Sequence, residues 1–468
     1  MSDKLPTYRD IMDALVAEGY QAYLVGGAVR DAYIDREISD YDLTTDATPD
    51  EILAVFPSGK FVNATFAVSV IVPSSEVGGH VEISTMREED DRLYSHGKPT
   101  DFSFVMDITK DLGRRDATIN AMAMDRDGNI IDPFGGRDDI KNKRVVAVGN
   151  PTRRIKAHPI RMMRYIRMAR CLGDNWTMDT NLANAIVANA KYIVLESWEA
   201  ISKEFLKGLA CPNPDRYLMA LKHTGILQII MPEIVEAFTQ KQNKFHVFDT
   251  VWEHLLSTVR VGAFMGRTAL ENLAALLHDI GKPGVAEYKS ATYGNSFYGH
   301  ETTSALLADV ICKRLRITNE DRKLIVLAIR NHMFRIDSPQ QARKFLRKMD
   351  NGENNSIDTI AARAEFAMRL KSSDALGRDD NISMVNRIIR ERELLEAAIE
   401  EESAITVRDL KVNGYDIMDR LGIGQGRAVG NVLNSLLELV TDDKLANDRE
   451  KLLDVAARLY ENQMVAVA

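Results

Sequence analysis

Two carboxylates one residue apart, Asp40 and Asp42, stand in the strand-like segment DYDLTT. Side chains at i and i+2 of a strand share a face, so the pair can hold hard divalent cations. Mg²⁺ takes one or two carboxylates together with phosphate oxygens and water, and paired metals can activate an attacking hydroxyl and neutralise a leaving pyrophosphate. Upstream, the run YLVGG ends in Gly26 and Gly27, whose bare backbone lets a triphosphate approach exposed N–H groups. Arg30, a helical turn on, adds a charge-assisted contact. Taken singly, a D-x-D or a Gly pair is usually a surface turn. In this order within about 20 residues they point to metal-assisted nucleotide chemistry. A second set lies downstream: His254, the adjacent pair His278 and Asp279 followed by Gly-Lys-Pro, then His300, His332 and Asp374. Imidazoles with a carboxylate suit Mn-, Fe-, Ni- or Zn-type ions, and a metal so bound lowers the pKa of water and promotes phosphoester hydrolysis. A lone buried His is more often a satisfied core residue; the adjacent His-Asp with further His downstream separates this set from that reading.

The bulk properties set the frame for these residues. A chain of 468 residues has room for two to four domains, and 45% hydrophobic with 27% charged residues is ordinary for a globular protein. The net charge of −8 would disfavour a nucleic-acid partner, but its distribution matters more. From Lys141 to Arg170 there are ten Lys/Arg and no Asp/Glu, a pattern of either a solvated helix face or a phosphate and RNA track. No apolar run reaches bilayer length, so no membrane association is expected, and the N-terminal segment carries acids and lacks the apolar stretch of a signal peptide. Cys171, Cys211 and Cys312 are scattered singly, with no C-x-x-C pair and no even-numbered framework, which suits a cytoplasmic location.

The elements that would position both sets follow from periodicity. TYRDIMDALVAEGY reads as a helix stopped by Gly, QAYLVGG as a strand into a turn, and DYDLTT, FAVSVIV and HVEISTM as further strands. From Lys156 onward the patterns are almost entirely helical. The expectation is an α+β chain with the head at 1–145, a neck with an Arg-rich helix at 146–212, a helical body at 213–402 and a helical tail at 403–468. GIGQG in the tail follows no strand, which excludes a dinucleotide-binding fold; it is either a phosphate-holding turn or a tight interhelical turn.

The segment from Tyr23 to Pro49 resembles the class II tRNA nucleotidyltransferase (CCA-adding enzyme) and bacterial poly(A) polymerase family, within the polymerase-β-like superfamily. DLGRRDATINAMAMD resembles the family's second motif, DPFGGRDDIKNKRVVAVGNPTRR the link after it, and RMMRYIRMARCLG the Arg-rich neck helix. The resemblance implies a polymerase-β-like head followed by an all-α neck, body and tail. By position, Asp40 and Asp42 become Mg²⁺ ligands and catalytic residues. Gly26, Gly27 and Arg30 contact the incoming nucleotide, Arg115 binds triphosphate, and Asp116 and Asn120 lie near the ribose. HVEISTMREEDDRLYSHGKPTDF resembles the strand and mobile loop that help switch from C to A addition, with Glu82 as a third carboxylate. The body resembles the HD phosphohydrolase domain of some bacterial members, associated with phosphatase and 2′,3′-cyclic phosphodiesterase activities. Its ligand set would be His254, His278, Asp279, His300, His332 and Asp374, with a transition metal such as Mn²⁺ or Ni²⁺.

One motif departs from the family. Its members read the incoming base with Glu-Asp-x-x-Arg at the start of the neck helix, where this chain has Ala157, His158, Pro159, Ile160 and Arg161. A carboxylate can accept from the amino group that C and A share and U and G lack; a histidine offers one acceptor at most. The expectation is weaker base discrimination, or discrimination resting on Arg161 and its neighbours, while Arg164 and Arg167, which fan with it across one side of the helix, hold the triphosphate with Arg115. The resemblance implies a tRNA partner, CTP and ATP as substrates, and attack of the tRNA 3′-hydroxyl on the α-phosphate. Its rivals are a poly(A) polymerase or partial (CC- or A-adding) enzyme, an HD hydrolase acting on RNA ends, and a tRNA-binding chaperone.

Overall fold

The computed structural model describes residues 5–62, 69–89, 94–95, 98–99, 102–244, 246–378, 382–401 and 404–465. The chain divides into two compact units, Met1–Pro232 and Glu233–Ala468.

The first unit opens with α1 (Tyr8–Ala17), held by a capping box in which Thr7 and Asp10 satisfy each other's backbone N–H. Strand β1 (Ala22–Val25) leads through Gly26 into α2 (Gly27–Tyr33), then β2 (Asp42–Thr45), α3 (Pro49–Val55), β3 (Lys60–Phe61), β4 (Ser69–Pro73) and β5 (His80–Thr85). Short strands β6 (Arg87–Glu89), β7 (Tyr94–Ser95), β8 (Lys98–Pro99) and β9 (Phe102–Phe104) precede α4 (Ile108–Gly113), β10 (Ala123–Met124) and β11 (Ile130–Ile131). The main sheet has the order β11-β10-β1-β2-β5-β4-β3. β2 and β5 run parallel, pairing Asp42 with Glu82, while β1 and β2 run antiparallel, pairing Val25 with Asp42. Val25, Met86, Ile108, Leu112, Ala121, Ala123 and Val148 form a buried cluster beneath the sheet end that carries these pairs.

The expected strand DYDLTT begins only at Asp42. Its antiparallel partner stops at Val25 because Gly26 turns away with φ 75°, so Asp40 precedes the ladder. The switch-loop segment falls partly outside the described residues. After the sheet come α5 (Gly136–Lys141), β12 (Arg144–Val145), α6 (Pro151–Ala157), α7 (Arg161–Cys171), β13 (Thr177–Met178), α8 (Thr180–Asn189), α9 (Trp198–Leu209), α10 (Pro214–His223) and α11 (Ile226–Ile230). The reading of the cysteines as unpaired is corrected here. Cys171 at the end of α7 and Cys211 just past α9 form a disulfide across a separation of 40 residues, which spacing alone could not reveal. Cys312 is free and buried.

The second unit is helical apart from the short pair β14 (Glu287–Ser290) and β15 (Gly294–Ser296). Its helices are α12 (Val251–Phe264), α13 (Ala269–Leu277), α14 (His300–Arg314), α15 (Asn319–Asn331), α16 (Pro339–Asp350), α17 (Ile357–Arg378) and α18 (Ile382–Glu400), then α19 (Gly414–Leu421), α20 (Arg427–Thr441) and α21 (Arg449–Val465). Capping boxes at Thr250 and Thr268 start α12 and α13. The last three helices share their own core of Ile417, Val432, Leu436, Leu452 and Ala456. GIGQG is the link from α19 to α20: Gly422 ends one helix in the left-handed conformation and Gly426 precedes the next. Sheet-bearing first unit and helical second unit together bear out the α+β class. No helix among the described residues is long and apolar enough to cross a membrane.

Candidate nucleotide site and metal centre

At the C-terminal mouth of β1 two cavities open side by side and share Asp42, Arg87, Arg114, Arg115 and Arg164. The larger, about 840 Å³, also holds Asp40, Glu82, Lys203 and Lys207; the other, about 360 Å³, holds Gly26, Gly27, Asp116, Asn120, His158 and Arg161. Asp40 and Asp42 therefore meet in one cavity although only Asp42 belongs to the strand. Glu82 joins them because the parallel register sets it opposite Asp42. Asp42 opens onto the cavity, yet the protein around it limits its hydration, and with Glu82 facing it the carboxyl is pushed up to about 6, Arg115 pulling the other way. An all-oxygen set of clustered carboxylates is a fitting site for a hard divalent cation, which would relieve this repulsion.

Glycine is required at residue 26. Its φ of 75° disfavours any side chain, and a Cβ there would lie 3.2 Å from the Arg115 guanidinium. Behind the cavity, arginines brace the backbone. Arg154, buried, donates to the carbonyls of Gly113, Arg115 and Val148, and buried Arg161 donates to those of Arg114 (3.0 Å) and Arg154 (3.2 Å). Asp111, fully buried, takes the Arg114 guanidinium at 2.8 Å and that of Arg115 at 3.2 Å. Burial opposes its charge, but the two arginines outweigh it and hold the carboxyl below its usual range. Asp116 accepts from Asn120 (3.2 Å) and from the Ala117 N–H (2.7 Å). Arg30 donates to the Asn120 side chain at 2.7 Å and grips Asp31 with its other nitrogens. It therefore bears on the cavity through Asn120.

On α7, Arg164 and Arg167 share Glu204 of α9 at 3.4 and 3.0 Å. Sequence reasoning did not single out Glu204, though a signal was there: it occupies the apolar stripe of α9 with Ile201, Phe205 and Gly208, where an acid needs a partner. Lys203 and Lys207 of the same helix were also missed. So was Glu196, buried before α9, which sits 2.8 Å from the His158 ring and carried no usable signal in the sequence.

In the second unit six side chains converge from five elements. α12 supplies His254, the end of α13 supplies His278 and Asp279, α14 begins with His300, α15 ends before His332, and α17 supplies Asp374. His254 Nε2 lies 3.0 Å from Asp374 Oδ1 and 3.2 Å from His278 Nε2, and His300 Nε2 lies 3.0 Å from Asp279 Oδ1. His332 Nε2 stands 3.7 Å from the same oxygen. The rings of His278, His300 and His332 are aimed by their Nδ1 atoms, each 2.7–2.8 Å from the carbonyl of a residue three earlier. That leaves Nε2 as the atom turned inward. Asp279 Oδ2 meets the Lys282 ammonium at 2.7 Å, whereas Asp279 Oδ1 and the Nε2 atoms of His300 and His332 are buried without a hydrogen-bond partner despite these approaches. Donor atoms gathered so closely, several of them left unbonded, fit a cation, and the mixed N/O set suits a transition metal.

Three family models match the chain. Residues 22–146 match the poly A polymerase head domain, 175–238 a probable RNA and SrmB-binding site of polymerase A, and 251–365 the HD domain. CCA-adding enzymes of Geobacillus sp. strain WCH70 and Geobacillus stearothermophilus are 39% and 38% identical over 216 residues. Each match covers 46% of this chain and 52% of the relative.

The chain carries a poly A polymerase head domain and an HD domain.

The chain spans about half the length of the curated relatives it matches. The fold likeness is broader. A crystal structure of the Bacillus stearothermophilus CCA-adding enzyme in complex with CTP superposes with a TM-score of 0.70 at 23% identity, covering 98% of each chain. A Thermotoga maritima CCA-adding enzyme complexed with tRNA gives a TM-score of 0.51 at 18% identity, covering 96% of this chain and 94% of that one. Both share with this chain the fold of a sheet-bearing head and a helical remainder. The head and HD families imply dependence on divalent metal. The HD match includes His254, His278, Asp279, His300 and His332; Asp374 lies beyond its end.

Proposed function

We propose that this chain is a tRNA nucleotidyltransferase that adds C and A from CTP and ATP to the tRNA 3′ end. The convergence of Asp40, Asp42 and Glu82 in a cavity walled by Arg114, Arg115 and Arg164 is the observation that carries this reading. Asp40 and Asp42 would hold Mg²⁺, which when bound activates the attacking 3′-hydroxyl and offsets the charge of the leaving pyrophosphate. Arg115 and Arg164 face the triphosphate, and Glu204, shared by Arg164 and Arg167, sets the position of both arginines. Asp116 and Asn120, fixed by Arg30, orient the ribose. Gly26 and Gly27 leave room for the phosphates to approach the backbone. His158 and Arg161 lie at the base end. Fidelity rests on these two residues because the usual carboxylate is replaced.

The working division is a head at 1–145, a neck at 146–212, an HD-bearing body at 213–402 and a tail at 403–468. The basic run from Lys141 to Arg170 and the RNA-binding-site match support tRNA as the partner, and we place the activity in the cytoplasm, where tRNA and nucleotides meet. The test is incorporation into tRNA transcripts ending before C, after C and after CC, with each nucleotide supplied singly. Ordered C, C, A addition that then stops is expected. Long A tails or a single permitted step would indicate a poly(A) polymerase or a partial enzyme.

The six-residue cluster supports a second activity, hydrolysis of phosphoesters at RNA ends on a transition metal such as Mn²⁺ or Ni²⁺. Its test is ring opening of 2′,3′-cyclic nucleotides to monophosphates and release of phosphate from 2′-phosphate nucleotides by the metal-loaded protein. The reading fails if Asp279→Ala hydrolyses as fast as the parent.

A further inference from the structure

The replacement of a base-reading acid by His158 poses a chemical problem. An imidazole can accept or donate at its outer nitrogen, so unless its tautomer is fixed it cannot tell an amino group from a carbonyl. The structure supplies a means of fixing it. Glu196 is 8% exposed, and one of its oxygens lies 2.8 Å from His158 Nδ1 and 2.9 Å from the backbone N–H of Ile160. Burial opposes its charge, but the bond to His158 and the Ile160 N–H outweigh it, so the carboxyl stays below its usual range and ionised. An ionised carboxylate only accepts, so Nδ1 must carry the hydrogen. The bond to Ile160 locks this oxygen to the first turn of the Arg-rich helix, and His158 lines the smaller head cavity with Arg161.

We infer that Glu196 is a specificity-positioning residue: by holding the Nδ1–H tautomer of His158 it makes Nε2 an acceptor for the exocyclic amino group of an incoming cytosine or adenine. The inference rests on the nucleotidyltransferase reading of this cavity. An imidazole whose hydrogen is on Nδ1 alone offers at Nε2 the acceptor that a carboxylate oxygen would. U and G present a carbonyl there instead and meet lone pair against lone pair.

The experiment measures single-nucleotide kcat/KM for CTP, ATP, UTP and GTP on tRNA transcripts. In Glu196→Ala both tautomers become accessible, and the preference for C and A over U and G should fall about ten-fold, chiefly through a gain in UTP and GTP use. Glu196→Gln should keep the preference within about three-fold, because its amide oxygen can accept both bonds that the carboxylate accepts now. In a His158→Asp background, where the acceptor has no tautomer, Glu196→Ala should leave the preference unchanged. An unchanged preference in Glu196→Ala overturns the inference. So does an equal loss with all four nucleotides, the signature of a merely structural Glu196. No incorporation by the parent protein with any nucleotide would instead overturn the nucleotidyltransferase reading, and this inference with it.

Discussion

Asp42 shows how a reactive carboxylate is set against stability. Its folded pKa of about 6 lies above the usual 3.8, so the folded protein binds more protons than the unfolded chain between these values. Stability of the metal-free protein therefore falls as pH rises from about 4 to 6, and the penalty persists at neutral pH. Asp42→Asn should abolish nucleotide addition. The melting point of the metal-free protein at pH 7 should nonetheless stay level or rise by ~1–3 °C, the gain kept small by the carboxylate's opening to solvent. A lower midpoint in calorimetry would show that Asp42 contributes to the fold in its own right. Cys312 is the opposite kind of residue. Burial pushes its thiol up to about 12, so the folded protein should show negligible reaction at this position with a thiol reagent at pH 8. Rapid native labelling, read by peptide mass analysis, would contradict that.

At the scale of elements, the disulfide ties the end of α7 to the segment after α9, the two helices that share the Arg164–Glu204–Arg167 contacts. Closing a loop of this length restricts the unfolded chain by about 4 kcal/mol on the chain-entropy model. Reduction should lower the thermal midpoint of the first unit by several degrees, and Cys171→Ser should abolish that sensitivity. Much of this architecture was readable beforehand. The helix from Tyr8, the strand into Gly26 and the neck helix from Arg161 follow periodicity and turn chemistry that act locally. What escaped was long-range: that β2 starts at Asp42 depends on where β1 turns away, and the pairing of Cys171 with Cys211 depends on how two helices pack. The same limit hid Glu196, whose partner lies 38 residues earlier.

For the whole molecule, each of the two compact units contains one of the two candidate metal-binding sets, and all six HD-type residues singled out from the sequence converge in the second. The set was legible from the adjacent His278-Asp279 pair followed by Gly-Lys-Pro, with further histidines downstream, whereas the distances among them were not. The two chemistries should separate cleanly. Asp40→Ala should remove nucleotide addition and leave phosphoester hydrolysis within about two-fold, and Asp279→Ala should do the reverse, since each set lies within its own compact unit. Parallel assays of both variants check this, and loss of both activities in either variant would argue for one shared site.

Helix interiors usually gain from replacing Gly with Ala, by ~0.5–1 kcal/mol. Here a Cβ at Gly208 of α9 would stand 2.0 Å from the Tyr217 ring, and one at Gly377 of α17 would stand 2.9 Å from the Thr258 backbone. Gly377 lies one turn from Asp374, and Thr258 one turn from His254, so the bare glycine sets how near those two candidate ligands come. An engineering library built on helix propensity would rank both positions among its first improvements. It would then return proteins that melt earlier and, at position 377, emerge from purification depleted of metal.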